Sequence, residues 1–391
     1  MTRTDNSAEL LRKLLRVFIA VGLLIAPPLV GVWFAGKPLS PYLSLMPSTL
    51  YVEKPGFSWP IFLLLTLLIL CCTYPLLWRL ISPPAERNSL SGPAASRRHI
   101  SATAFPSWGW LGLCLLILSW VLAWIEIPGG PSWQRYTFTP LWLGYILVIN
   151  GLSEKQHGMS LLRAQPGRLG WLFLVSAVFW WFFEYLNLFV HNWYYVGPPI
   201  TPLTRTLTAS LSFSTVLPAV MSTVFWLAGF QRCQVAYTQY VHFPLPHPKR
   251  LAGLALLAAI SSLFALGAWP DSFFPLVWIS PLIVIVGLET LAGKPTLFSV
   301  IPKGDWRPFA LPALAGLQCG FLWELWNFGS KAPWIYNIPY VDRFYLFEMP
   351  LLGYAGYLPF GLECALIASL FGVNAHGGMN AHAIESLNSR K

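Results

Sequence analysis

Charged residues are scarce in this chain. Only 10% of its 391 residues are charged, whereas an average soluble domain has about 25%. Cysteine is scarce too, with six residues, and none of them falls in a predicted outer loop. Together these shortages exclude a soluble enzyme, a disordered regulator and a disulfide-stapled secreted module.

Several motifs that would identify an activity are also missing. The sequence has no Walker motif, no Rossmann glycine pattern, no GxSxG nucleophile elbow and no HExxH helix, so nucleotide hydrolysis and zinc proteolysis have no support. It has no aspartate-rich prenyl-diphosphate motif, and no Cys/His spacing resembles a zinc site. We therefore expect no metal and no cofactor.

Hydrophobic residues, in contrast, make up 55% of the chain. They come in blocks of about 18 to 24 residues, long enough to cross a bilayer as helices. The sequence therefore predicts an all-α polytopic membrane protein of about ten transmembrane helices. The predicted spans lie near 17–36, 59–80, 107–127, 138–152, 169–190, 207–230, 251–268, 274–291, 308–328 and 346–371.

Basic residues exceed acidic ones, and the formal net charge is +10. With the N-terminus inside, the inner segments hold 19 Lys and Arg residues and the outer segments hold six. This asymmetry is typical of membrane topology, because cytoplasmic loops are enriched in these residues. We expect a multi-pass protein of the cell (inner) membrane with both termini in the cytoplasm and no nucleic-acid partner.

Two breaks divide the chain. Residues 81–106 are rich in Pro, Ser, Ala and Arg, which is typical of a flexible cytoplasmic linker. The stretch HFPLPHPKR at 242–250 forms the second break. We therefore expect an N-terminal two-span unit over 1–80, a four-span unit over 107–240 and a second four-span unit over 251–391.

The two four-span units share motifs in the same order, at offsets of 135 to 141 residues. The matches include Phe138-Thr-Pro-Leu141 with Phe273-Phe-Pro-Leu276, Glu184-x-x-Asn187 with Glu324-x-x-Asn327, Trp193-x-Tyr195 with Trp334-x-Tyr336, and Leu217-Pro218 with Leu358-Pro359. Because four spans separate equivalent positions, both units would enter the membrane from the same side. The pattern predicts a parallel internal repeat about an axis along the membrane normal.

Most of the acidic residues lie in loops or near the ends of predicted spans, and the exceptions are Glu184, Glu324 and Glu363. An ionisable group near the bilayer centre costs at least about 2.5–3.5 kcal/mol, so it usually faces the protein interior and has a function. Asn187 and Asn327 follow the first two by three residues and lie on the same helix face. A carboxyl group in a dry setting can stay protonated and act as an acid, so we predict Glu184 and Glu324 as catalytic residues.

Four tryptophans flank these glutamates: Trp180, Trp181, Trp323 and Trp326. Deep Trp side chains are typical of aromatic walls around an apolar or cationic group, although packing alone is an alternative. His191 and Glu363 complete the predicted substrate-binding set with the Trp and Asn residues. For His191 an interfacial anchor, and for Glu363 a close helix contact, remain the alternatives.

Three interpretations of the Glu–Asn pairs stay open. They could be structural polar contacts between helices, part of a pocket shared by the two units, or part of a proton or ion path. The pocket interpretation predicts a cavity between the units, towards the outer third of the membrane. The glycine-rich stretch 353–363 also predicts a broken or tightly packed last span, and broken helices usually line cavities.

In each unit an acidic helix end and an Asn precede Trp-x-Tyr and then Leu-Pro. This order, over 180–225 and 321–366, resembles the membrane-bound lycopene (carotenoid) cyclases with tandem helical repeats. In place of that family's Pro-x-Glu-Glu the chain has Pro218-Ala-Val-Met221 and Pro359-Phe-Gly-Leu362, so the acid-pair motif is missing. The resemblance implies a lipid-phase polyene substrate and a reaction begun by protonating a double bond.

Three functions follow as hypotheses. The chain would be a membrane enzyme of the cyclase or isomerase kind that acts on an isoprenoid or other lipid-phase substrate by acid-initiated chemistry. Alternatively it would be a proton- or cation-coupled transporter of an apolar or weakly charged solute. The third alternative is a non-catalytic subunit of a membrane complex with unknown partners.

Overall fold

The computed structural model describes residues 3–82, 104–128, 132–197 and 200–373, and most of the predicted linker 81–106 and the C-terminal end lie outside it. The described part is mostly helical. Its α-helices are α1 (Arg3–Phe34), α2 (Trp59–Ile81), α3 (Ser107–Trp124), α4 (Phe138–His157), α5 (Leu161–Ala164), α6 (Pro166–Val190), α7 (Pro202–Phe213), α8 (Val216–Ala228), α9 (Gln231–Tyr237), α10 (Pro248–Ala268), α11 (Pro270–Phe273), α12 (Ser280–Leu291), α13 (Arg307–Phe328) and α14 (Tyr357–Leu370).

Two short antiparallel strand pairs complete the described structure. Strands β1 (Trp193–Tyr195) and β2 (Trp334–Tyr336) pair with Trp193 opposite Tyr336 and Tyr195 opposite Trp334. Strands β3 (Tyr345–Leu346) and β4 (Met349–Pro350) form a tight hairpin. The first pair matters most here, because it joins the segments that follow α6 and α13.

In the part of the chain that the structure describes, seven helical segments are long and apolar enough to cross a membrane. They are Leu15–Phe34, Trp59–Ile81, Ser107–Trp124, Pro166–Val190, Pro202–Ala228, Pro248–Ala268 and Leu351–Leu370. A bent pair, Pro270–Trp278 with Ser280–Leu291, makes an eighth if it is one span. Helices also occupy the predicted spans at 138–152 and 308–328, but these helices, α4 and α13, are not among the seven. The mostly helical structure with several apolar, span-length helices is thus in agreement with the sequence, and the count of ten stays a prediction.

Two of the predicted spans are interrupted. The span predicted at 207–230 is divided between α7 and α8 at Ser214 and Thr215. Both side-chain hydroxyls donate to carbonyl oxygens three residues earlier, at 2.7 Å each, which competes with the regular helix pattern. The span predicted at 274–291 bends by 53° between its two halves.

Helix α8 is the most buried helix of the described structure and packs against α4, α6, α13 and α14. Helices α13 and α14 approach closely, because a Cβ atom on Gly361 would overlap the carbonyl oxygen of Pro312. Helix α1 packs on α10 in the same way, through Gly31 and Gly267. Small residues let helix backbones approach where apolar burial cannot drive association. The predicted tight packing of the last span is therefore confirmed.

Candidate functional site

Helix α6 ends in a turn that its own Asn187 organises. His191 caps the helix in the left-handed conformation, with φ of 46°. The Asn187 side-chain oxygen accepts hydrogen bonds from the backbone N–H groups of Asn192 and Trp193, at 2.8 and 3.3 Å, and its amide donates to the carbonyl oxygen of Trp193 at 2.8 Å. Asn187 therefore fixes the direction in which strand β1 leaves the helix.

Strand β1 returns its aromatic side chains to Glu184, one helical turn before Asn187. The Oε1 atom of Glu184 accepts hydrogen bonds from Trp180 Nε1 at 3.0 Å, Trp193 Nε1 at 3.1 Å and the Tyr195 hydroxyl at 2.7 Å. Glu184 itself is 2% exposed. Three aromatic donors thus converge on one buried carboxylate oxygen, which compensates part of its desolvation.

The equivalent residues on α13 repeat this arrangement. The Asn327 amide donates to the Trp334 carbonyl oxygen at 2.7 Å, and its oxygen accepts from the Trp334 backbone N–H at 2.8 Å. The Oε1 atom of Glu324 accepts from the Tyr336 hydroxyl at 2.8 Å and from the Tyr357 hydroxyl. Trp334 is linked to Glu324 through Tyr336: its Nε1 donates to the hydroxyl of Tyr336 at 2.8 Å, and that hydroxyl donates to Glu324.

A cavity of about 470 Å³ lies between these two groups of residues, within the size range of small-molecule sites. All five side chains that donate to the two glutamates line it: Trp180, Trp193, Tyr195, Tyr336 and Tyr357. The glutamates and the two asparagines are not among the lining residues. The carboxylates therefore lie behind an aromatic wall and orient its polar atoms.

Further aromatic rings complete that wall. The rings of Trp323 and Trp180 are tilted by 46° with centroids 6.4 Å apart, and Trp278 stacks on Trp193 at 5.9 Å with an interplanar angle of 24°. All four line the cavity, as does Phe213, whose ring lies 6.0 Å from that of Trp180. Ring faces carry partial negative charge, so such a wall suits apolar groups and developing positive charge.

The predicted site residues are divided by the structure. Trp180 and Trp323 line the cavity, and Glu184, Asn187, Glu324 and Asn327 support its wall. The other four predicted residues, Trp181, Trp326, His191 and Glu363, do not line it.

Each of these four has other surroundings. Trp181 donates to the Ser210 hydroxyl at 3.0 Å, and Trp326 packs among Trp120, Trp142 and Tyr145. His191 is half-buried near Lys54, and burial above all lowers the pKa of its imidazole, with that nearby cation adding to the effect. Glu363 accepts a hydrogen bond from the backbone N–H of Leu282 at 3.0 Å, linking α14 to α12.

Sequence reasoning missed the aromatic residues of β1 and β2. Their position predicts an interfacial belt, but Trp193, Tyr195 and Tyr336 point to the buried carboxylates instead. The signal for this role is their spacing from the glutamates: Trp-x-Tyr begins nine residues after Glu184 and ten after Glu324. Tyr357 carries no such signal, because it reaches Glu324 from another helix.

Two arginines, Arg135 and Arg205, also line the cavity. Arg135 lies in a short 3₁₀ turn before α4, and Arg205 is the fourth residue of α7. Both side chains are half-buried. They are the charged members of a lining that is otherwise aromatic, aliphatic or neutral polar in the part of the chain that the structure describes.

Within the described ranges, no group of three or more His, Cys, Asp or Glu side chains could hold a metal ion. Comparisons of the chain with protein-family models, curated proteins and solved structures give no match in any of the three. The resemblance to the carotenoid cyclases therefore depends on the quoted motifs alone.

Proposed function

We propose that this chain is an integral membrane enzyme that binds an isoprenoid or other lipid-phase substrate in the aromatic cavity and begins the reaction by protonating it. The observation that carries the proposal is the convergence of five cavity-lining N–H and O–H donors on two buried glutamates. Buried carboxylates backed by polar aromatic groups are an arrangement that can hold and deliver a proton in a dry site.

The proton would travel through a tyrosine hydroxyl. Tyr195 faces the cavity and lies 2.7 Å from Glu184. In the proposed step the Tyr195 O–H bond breaks as its proton forms a C–H bond at a substrate double bond. Glu184 enters the step protonated on Oε1, with the Tyr195 hydroxyl turned towards the substrate, so that the Glu184 O–H donates to the tyrosine oxygen. The π electrons of the double bond form the new C–H bond, and the Glu184 proton replaces the one that Tyr195 gives up. Glu184 becomes the carboxylate that accepts from the Tyr195 hydroxyl, as in the structure. Tyr336 and Tyr357 give Glu324 the same access to the cavity.

The wall suits the cation that such a step creates. Protonation of a double bond leaves positive charge on carbon, and Trp180, Trp278 and Trp323 line the cavity in which it would form. A cation over an aromatic face gains roughly 2 kcal/mol or more where water is excluded. An aromatic wall thus stabilises the charged intermediate more than the neutral substrate, which is what catalysis requires.

The transporter hypothesis is less well supported by this geometry. A proton- or cation-coupled carrier needs its ionisable groups on the solute path. Neither Glu184 nor Glu324 lines the cavity, and aromatic side chains separate both from it. We therefore favour catalysis.

The proposal includes the membrane arrangement. The chain would cross the inner membrane ten times with both termini in the cytoplasm, as two accessory spans and two parallel four-span repeats. The repeat is supported by the matched Glu–Asn networks and by the pairing of the two Trp-x-Tyr strands with each other. In that arrangement the cavity, with β1 and β2, lies towards the outer side.

Lipid extraction and mass spectrometry of cells with and without the gene test the proposal. We expect a lipid product that disappears in the deletion strain, returns with the wild-type chain and with Tyr194→Phe, and does not return with Tyr195→Phe. Tyr194 is a matched control, because it precedes Tyr195 on β1 and its ring packs on Tyr51. An unchanged lipid profile together with proton-coupled uptake into proteoliposomes would establish transport instead. An unchanged profile without uptake would favour the non-catalytic subunit.

A further inference from the structure

Of the six cations of the predicted outer segments, four do not line the cavity. Lys54 pairs with Asp271 at 2.6 Å, Lys331 pairs with Glu126 at 3.6 Å, and Arg343 lies 4.9 Å from the ring centre of Phe57. Lys37 is exposed. The remaining two, Arg135 and Arg205, line the cavity, and neither forms an ion pair with a carboxylate of the described residues. The Arg135 guanidinium lies 5.9 Å from the ring centre of Tyr136, which also lines the cavity.

Arg205 also occupies an unfavourable place for a cation. It lies in the first turns of α7, where Thr201 accepts a hydrogen bond from the Thr204 backbone N–H and caps the helix. The positive end of the helix dipole disfavours a cation there and favours an anion. Arg205 is half-buried and lines the cavity. An anionic group bound next to its guanidinium would stabilise the charge.

The rest of the cavity has the opposite character. Trp180, Trp278, Trp323 and Phe213 line it, and no acidic side chain does so among the described residues. A wall with both features matches a molecule with two chemically different ends. Arginine is well suited to the charged end, because its planar fork binds carboxylate or phosphate oxygens in pairs.

We propose that the cavity takes an anionic amphiphile, with its carboxylate or phosphate head on Arg135 and Arg205 and its hydrocarbon chain among the tryptophans. This inference rests on the proposed function for the cavity being the substrate site, and it narrows the substrate from any lipid-phase molecule to a lipid acid or lipid phosphate. The position of the head group would fix which part of the ligand's hydrocarbon chain lies next to Tyr195 and Tyr357.

The test compares matched ligand pairs on the purified full chain in detergent, with the tryptophan fluorescence of the cavity as the signal. The probes are farnesyl phosphate against farnesol, and oleate against oleyl alcohol. We expect the anionic member of at least one pair to bind about tenfold or more tightly than its alcohol, as expected for charge-assisted hydrogen bonds to arginine. The pair with the larger ratio identifies phosphate or carboxylate as the head.

We expect each of the variants Arg135→Gln and Arg205→Gln to lose most of the preference for the anion over the alcohol and to bind the alcohol with unchanged affinity. Arg205→Lys should retain part of it, and Lys37→Gln, an exposed outer cation, should change nothing. Equal affinity of acid and alcohol in the wild type would overturn the inference while leaving the cavity as a lipid site. The inference would also be overturned if both Gln variants kept the wild-type preference for the anion. Failure of every probe to bind, alcohols included, would instead refute the proposed function.

Discussion

At the scale of single residues, the two buried glutamates and the two asparagines have different structural roles. Glu184 and Glu324 accept hydrogen bonds from the cavity wall, whereas Asn187 and Asn327 hold the start of the strand that brings that wall into place. Substitutions at the two kinds of position should therefore have different consequences. Loss of the carboxyl group should affect function, and loss of the amide should affect folding.

Glu184→Gln and Glu324→Gln should abolish function at near-normal membrane abundance. The glutamine oxygen can still accept the aromatic hydrogen bonds, but the side chain no longer exchanges a proton. Its NH₂ group would take the place of Oε2, a buried atom without a partner among the described residues, at a cost of about 1–3 kcal/mol. The measurements are product formation in cells and thermal unfolding in detergent, with exposed Glu126→Gln as control. If both variants fail to fold, the structural interpretation of the Glu–Asn pairs is right.

Asn187→Ala should lower the free energy of unfolding by about 2 kcal/mol, because it leaves the buried backbone groups of Asn192 and Trp193 without their partner. Thermal unfolding in detergent measures the loss. Asn187→Asp keeps an acceptor but buries an acid and sets a second oxygen against the Trp193 carbonyl oxygen, so it should be no more stable than the alanine variant. An alanine variant as stable as the wild type would show that the turn holds without the side chain.

At the scale of elements, the helices follow from the apolar blocks, but their breaks do not. Apolar content predicts a continuous span over 207–230, whereas Ser214 and Thr215 bond back to earlier carbonyls and separate α7 from α8. The sequence does not show this break, because Ser and Thr hydroxyls within a span can equally well bond to another helix. The cavity depends on this local detail, since Phe213 and Val216 line it on either side of the break.

The site was predictable in part for a similar reason. Trp180 and Trp323 could be found because they lie a helical turn or less from a buried glutamate. Tyr357 and Trp278 could not, because they come from helical segments far away in sequence. By sequence position Arg135 is an ordinary outer cation, because sequence position does not tell which of the outer cations line a cavity.

Close contact between α13 and α14 places Tyr357 beside Glu324, and it depends on glycine. Gly361→Ala should destabilise the chain by about 1–3 kcal/mol, because its Cβ atom would meet the Pro312 carbonyl oxygen and force the helices apart. Gly170→Ala in α6 is the matched control. Its Cβ atom meets nothing within 4 Å, so better helix propensity should leave stability equal or slightly higher. Equal thermal stability of the two variants would argue against the tight contact.

At the scale of the whole molecule, the topology has a direct test in cysteine labelling. The background variant lacks the exposed cysteines Cys71, Cys72 and Cys114. In that background, a single cysteine in place of exposed Lys155 or His242 should react with a membrane-impermeant maleimide only after the membrane is permeabilised. Cysteines at exposed Lys37 and Glu126 should react in intact cells whose outer barrier is permeable to the reagent. Labelling of 155 or 242 from outside would overturn the proposed orientation.

The most direct test of the whole proposal is occupancy of the cavity. Native mass spectrometry of the full chain, extracted from its own membrane, should find a lipid bound one to one in the wild type. Ala209→Trp, which fills the cavity from α7, should lose it. Leu207→Trp, on the same helix, 56% exposed and outside the lining, should keep it. A lipid retained equally by both variants, or absent from the wild type, would contradict the claim that the aromatic cavity is the substrate site.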